Sequence, residues 1–172
     1  MPTDNVPLDV TGTWDQQVQI DAIADVLRGA PANDGGLSWD AESRTIVVRL
    51  VGPVDGSSPA VEQLKASVLE LAEEFTVTFE SVEYSRAELQ ELATRLFERL
   101  GSRALGIGGG WDCYANRVMV VVALGTDDTQ DRLGAIRSFD DDRIVVRTYT
   151  PVPGDLERRR PVGPRRSEFG AD

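Results

Sequence analysis

The chain has 172 residues, 41% of them hydrophobic, and 29 acidic side chains against 18 basic ones, for a formal net charge of −11. That length suits one domain or two small halves sharing a core, and the apolar fraction is too high for a disordered chain. No apolar run approaches the ~18 residues of a membrane span, and an acidic body repels phosphate backbones and anionic lipid, so neither nucleic acid nor membrane is the expected partner.

There is no histidine. This removes Ser-His-Asp and Cys-His catalysis, histidine-ligated zinc and the commonest general base near neutral pH. Cys113 is the single cysteine, so no intrachain disulfide can form and no zinc cluster is available. No cofactor or metal is expected. The start, Met1-Pro2-Thr3-Asp4-Asn5, lacks the charged opening and apolar run of a signal peptide. The chain as written therefore reads as cytoplasmic, or as a secreted protein given without its leader.

In chain order, residues 1–12 carry two prolines and no periodicity and read as a loose lead-in. Thr13 with Gln16 predicts a helix start, Ile20, Ile23, Ala24 and Leu27 supply one apolar face, and Gly29 ends the helix. Pro31 to Gly36 reads as a linker. Leu37–Trp39 and Thr45–Val51 are the arms of a first hairpin, with Asp40 to Arg44 as its turn. Ser58 and Pro59 open a second helix, whose buried stripe is Val61, Leu64, Val68, Leu71 and Phe75. A strand follows over Thr76–Tyr84.

Ser85 with Glu88 has capping-box spacing and opens a helix with Leu89, Leu92, Ala93, Leu96 and Leu100 on one face, ended by Gly101. The second hairpin spans Gly109 to Leu124, from a glycine-rich strand into an unbroken apolar one. Thr126, Asp127 and Asp128 start a short helix with Leu133 and Ile136 inward. Asp140 to Asp142 turn the chain into a last strand, Arg143–Tyr149. Residues 151–172 are rich in proline, glycine and arginine and read as a flexible tail.

A fixed offset of 72 relates Thr13 to Ser85, Ile20 to Leu92, Gly29 to Gly101, Trp39 to Trp111, Asp40 to Asp112 and Val48 to Val120. The chain thus reads as two α-β-β-α-β repeats, residues 13–84 and 85–150, of the α+β class. The strand–helix–strand crossover of each repeat should make its two strands parallel. Joining the repeats predicts one mixed sheet of about six strands with helices on one face.

Candidate binding residues fall in the two hairpins: Trp39, Asp40, Gly108, Gly109, Gly110, Trp111 and Asp112. The glycine run does not stand between a strand and a helix start, so it is unlike a phosphate loop, and it reads more simply as a bent or bulged strand. The tryptophans could stack on a ligand or anchor a core. The aspartates could be an acid pair or hold their own turns. Asp140 to Asp142 lack the spacing of a Ca²⁺ loop. Cys113 reads as an inert small residue.

Several stretches occur in a recognisable order: Leu37-Ser38-Trp39-Asp40, Ile46-Val47-Val48, Val82-Glu83-Tyr84-Ser85-Arg86-Ala87-Glu88-Leu89, and Trp111-Asp112 with Asn116-Arg117-Val118-Met119-Val120. That order resembles the pro-segments of streptogrisin-like and α-lytic-like secreted serine proteases of actinobacteria and relatives. It also resembles stand-alone actinobacterial proteins with the same repeated hairpin and a Tyr-Ser-x-x-Glu-Leu helix start. The resemblance spans about residues 35–150. It implies a non-catalytic α/β module that assists folding of a protease and inhibits it, partly by pairing a sheet edge with it. No protease domain is present, so no catalytic residues carry over.

The expected function is therefore non-enzymatic binding of a protein partner, through an exposed sheet edge or the tail. The alternative is a small-molecule binder or carboxylate-dependent enzyme, which needs Trp39, Asp40, Trp111 and Asp112 to converge on one cleft. The sequence sets neither the partner's identity nor an oligomeric state.

Overall fold

The computed structural model describes residues 14–104 and 106–151. The expectations for residues 1–13, including Thr13 as a helix cap, and for the arginine-rich segment 152–172 lie outside the described residues. Eleven elements follow in order: α1 (Trp14–Arg28), β1 (Asp34–Asp40), β2 (Thr45–Val51), α2 (Pro59–Leu71), β3 (Thr76–Val82), α3 (Arg86–Leu100), a 3₁₀ turn (Gly101–Ala104), β4 (Ile107–Asp112), β5 (Arg117–Ala123), α4 (Thr129–Arg137) and β6 (Ile144–Tyr149).

The local signals act as their chemistry requires. Ser58 caps α2, accepting from the Val61 amide, with Pro59 in the first turn. Ser85 and Glu88 form a reciprocal capping box at α3. Its backbone and hydroxyl hydrogen bonds to Ser85 hold the Glu88 carboxyl below its ordinary pKa. At α4 the Asp128 side chain caps nothing; Thr129 Oγ1 instead accepts from the Thr126 amide and donates to the Ala123 carbonyl.

The 72-residue offset holds in the backbone. Helices α1 and α3 and strands β2 and β5 have bounds 72 apart at both ends. Trp39 opposes Ile46 and Asp40 opposes Thr45; Trp111 opposes Val118 and Asp112 opposes Arg117. Arg44 and Asn116, the equivalent turn residues, both have φ of 50°. The expected crossovers are parallel: β2 pairs with β3 and β5 with β6. The helix of the second crossover is shorter, nine residues against thirteen.

The fold is α+β, with the strands in two three-stranded mixed sheets, β1-β2-β3 and β4-β5-β6. This corrects the expectation of a single six-stranded sheet. The reason lies at β1, where the linker expected over Pro31 to Gly36 is in part strand. Its register shifts between Asp34 and Gly36, and such a bulge bends a strand and breaks its ladder. Gly36 has φ of +98°, and the Trp111 ring and Cys113 Cβ occupy the space over it. The second unit therefore meets the first by side-chain packing, not by a shared ladder.

Each unit has its own core. Ile20, Ile23 and Leu27 pack with Ile46, Val48 and Leu50 and with Val61, Leu64 and Val68 in the first. Leu89, Leu92, Leu96 and Leu100 pack with Val118, Val120, Val122, Leu133 and Ile136 in the second. At roughly 1.5–3 kcal/mol per fully buried aliphatic side chain, each cluster outweighs any single polar contact described below. The short α4 has a visible consequence. Ile23 and Leu27 are buried beside α2, whereas Arg95 and Arg99, 72 residues on, are exposed. Arg99 lies over Phe139, 4.8 Å from the ring centroid, just past the end of α4.

Candidate functional site

The seven predicted residues lie on β1 and β4, the first strands of the two hairpins, and the structure divides them. Trp39 packs against the first core, edge-on to Phe75 at 6.2 Å between ring centroids. Trp111 packs against the second core. The tryptophans are therefore not walls of one cleft. Asp40 accepts from the Glu42 and Ser43 amides (2.9 and 3.4 Å) and from Ser43 Oγ at 2.8 Å. The Ser43 hydroxyl and these amides hold the Asp40 carboxyl below its usual range. Asp112 accepts from the Tyr114 and Ala115 amides at 2.8 and 3.0 Å. Each aspartate closes its own turn, as short acidic side chains do. Three surface depressions around α3, α4 and β6 are lined by other residues, Arg95, Arg99, Phe139 and Asp141 among them.

What the structure does bring together is a junction between the units, and it involves Trp111. Its ring covers Gly36: a methyl group on that glycine would lie 2.6 Å from Cζ2. Arg86, at the start of α3, pairs with the buried Asp34 carboxylate and stands 5.9 Å from the Trp111 ring. Arg49, only 6% exposed, bonds Ser38 Oγ at 2.9 Å, pairs with Glu80 at 3.1 Å and lies 5.0 Å from the Tyr114 ring. A buried guanidinium needs such partners, since an unpaired one is costly. Trp111 Nε1 is buried without an acceptor. Burial pushes the Cys113 thiol up, which leaves it un-ionised and a poor nucleophile at neutral pH.

Asn116 fastens the connection between the units. Its Oδ1 accepts from the Glu83 and Tyr84 amides at 3.0 and 2.9 Å, and its Nδ2 donates to the Tyr84 carbonyl at 2.7 Å. Arg117 adds an ion pair to Glu83 at 3.0 Å. Sequence reading missed Asp34, Arg49, Arg86 and Asn116 as junction residues. Asn116 carried one usable signal: asparagine tolerates the left-handed conformation that ends a tight turn.

The three glycines have different roles. Gly109 has φ of +136°, and any side chain on it would collide with the Met119 carbonyl across the hairpin. Gly108 and Gly110 are open: a methyl group on either meets no atom within 4 Å. Both lie on the face of β4 away from the core, since Ile107 and Trp111 point into it. Gly108 is the 72-residue equivalent of Gly36. It pairs with Val121 as Gly36 pairs with Arg49, itself 72 residues earlier. The position that is covered in the first unit is thus bare in the second. Among the described residues β4 pairs only with β5.

Among the described residues no three acidic or cysteine side chains are gathered as a metal would require, and no helix is long and apolar enough to cross a membrane. No known family model matches the chain, and no curated protein matches it.

Proposed function

We propose that this protein is a non-enzymatic module that binds another polypeptide on the open side of β4, in a chaperone-like or inhibitor-like manner akin to protease pro-segments. One observation carries the reading. Gly36 and Gly108 are equivalent, and the first is covered by the Trp111 ring while the second has nothing over it. A strand edge with free main-chain donors and acceptors accepts an added strand, and bare glycine allows a second backbone or an aromatic ring to approach closely. The turn-bound aspartates, the separated tryptophans and the un-ionised thiol fit binding better than catalysis. A cleft enzyme built on Trp39, Asp40, Trp111 and Asp112 has no support in this geometry.

The test uses the full chain panned against a library of random linear peptides, followed by amide hydrogen exchange on the best complex. The reading expects an extended peptide and slowed exchange at Gly108 to Asp112. Protection confined to other elements, or no peptide bound above background, sinks it.

A further inference from the structure

The junction inside the chain is heterologous: the back of the first unit meets the front of the second. The back consists of Asp34 and Gly36 on β1 with Arg49 beside them. The front consists of Arg86 at the helix start, Trp111, and Tyr114 in the hairpin turn. Each unit therefore owns both surfaces, and one of each is left unused. The unused back is Gly106, Gly108 and Val121. The unused front is Trp14, Trp39 and Glu42, each 72 residues before its counterpart.

From this match we infer that the partner of the open β4 surface is a second copy of this chain, docked head to tail through its first unit. The inference rests on the reading of β4 given above. Three features fit this occupant. The Gly36–Trp111 seat recurs as Gly108–Trp39, with the same residue types. The Asp34–Arg86 ion pair becomes Gly106–Trp14. Trp14 is 81% exposed, an unusual state for a tryptophan, and Gly106, which it would face, has the Arg132 guanidinium over it, a group that an indole ring can stack on. At the third contact Val121 replaces Arg49, and its register partner Arg147 supplies the cation that Glu42 would meet in place of Tyr114. Charge favours this orientation over a symmetric front-to-front one. Residues 13–84 hold thirteen acids and four bases, a net −9; residues 85–150 hold ten acids and nine bases, a net −1. Front to front would set −9 against −9, whereas front to back sets −9 against −1; back to back would set −1 against −1 but leave the exposed Trp14 uncovered.

A heterologous contact does not close on two subunits and so propagates. The experiment is sedimentation velocity on the full chain and on two variants, Trp14→Ser, which spoils the front, and Gly108→Leu, which fills the seat. The first alters an exposed side chain and the second enters open space, so both should keep the native circular dichroism. The wild type is expected to grow past a dimer as concentration rises. Each variant alone should associate about tenfold more weakly or worse. An equimolar mixture should form a dimer and stop, because one intact front meets one intact back. A wild type monomeric at all concentrations, a symmetric dimer indifferent to both substitutions, or a mixture that stays monomeric overturns the inference. If a library peptide still protects β4 in that case, the binding surface stands and only its occupant was wrong; if none does, both readings fall.

Discussion

Gly109 and Gly110 are neighbours with opposite demands. Gly109 sits at φ +136° against the Met119 carbonyl, and Gly110 faces open space. Gly109→Ala should destabilise by roughly 1–3 kcal/mol, the cost of a strained backbone conformation, with overlap adding to it. Gly110→Ala should change stability by less than about 0.5 kcal/mol. Urea unfolding of both variants checks this, and equal losses would contradict the assigned roles. Asn116 is a second decisive residue. Asn116→Ala removes three hydrogen bonds from a side chain 6% exposed, at about 1 kcal/mol each. It also puts alanine at φ of 50°. A loss of about 4 kcal/mol is expected, about 3 from the hydrogen bonds and about 1 from the backbone, and Asn116→Gly should recover only the backbone part.

At the scale of the element, α3 is fastened by its first turn. Ser85→Ala should cost about 1 kcal/mol. Glu88 has a pH signature: its folded pKa lies below the ordinary value of 4.5. A group with a depressed folded pKa adds stability that is fully present above its unfolded pKa and lost as pH falls through the folded one. Wild-type stability should thus fall below pH about 4.5 more steeply than that of Glu88→Gln, measured by thermal unfolding from pH 6 to 3. The elements were largely legible in the sequence, for reasons that act locally. Ser58-Pro59 and Ser85 with Glu88 are contacts within one turn, and Leu89, Leu92, Leu96 and Leu100 repeat at the helical period. The start of β1 was not legible. Asp34 to Gly36 look like a loop because their conformation depends on Arg86 and Trp111, which lie 52 or more residues away in sequence.

At the scale of the molecule, the duplication was readable because cap, core and turn residues recur at a fixed spacing. How the copies meet was not. An edge-to-edge ladder and a side-chain junction need the same periodicities, and the choice rests on the β1 bulge and on Trp111 over Gly36. Likewise, Asp40 and Asp112 were legible as turn residues from their own neighbours, whereas the difference between Gly36 and Gly108 appears only in three dimensions. The duplication gave two equivalent seats; one holds the chain together and the other is free to hold something else. With a net charge of −11 on each copy, two copies repel at long range, so a second copy in that seat has to be held by shape and short-range contacts.

The contrast between those seats is the claim on which the rest depends, and a matched pair of substitutions measures it. Gly36→Leu and Gly108→Leu place the same side chain at equivalent positions. Thermal unfolding should show a loss of several degrees or outright failure to fold for Gly36→Leu, because the Trp111 ring and the backbone at φ +98° leave no room. The melting temperature of Gly108→Leu should stay within about 2 °C of the wild type. Equal destabilisation by the two, or greater loss at Gly108, would show that the second seat is already filled and would contradict the account.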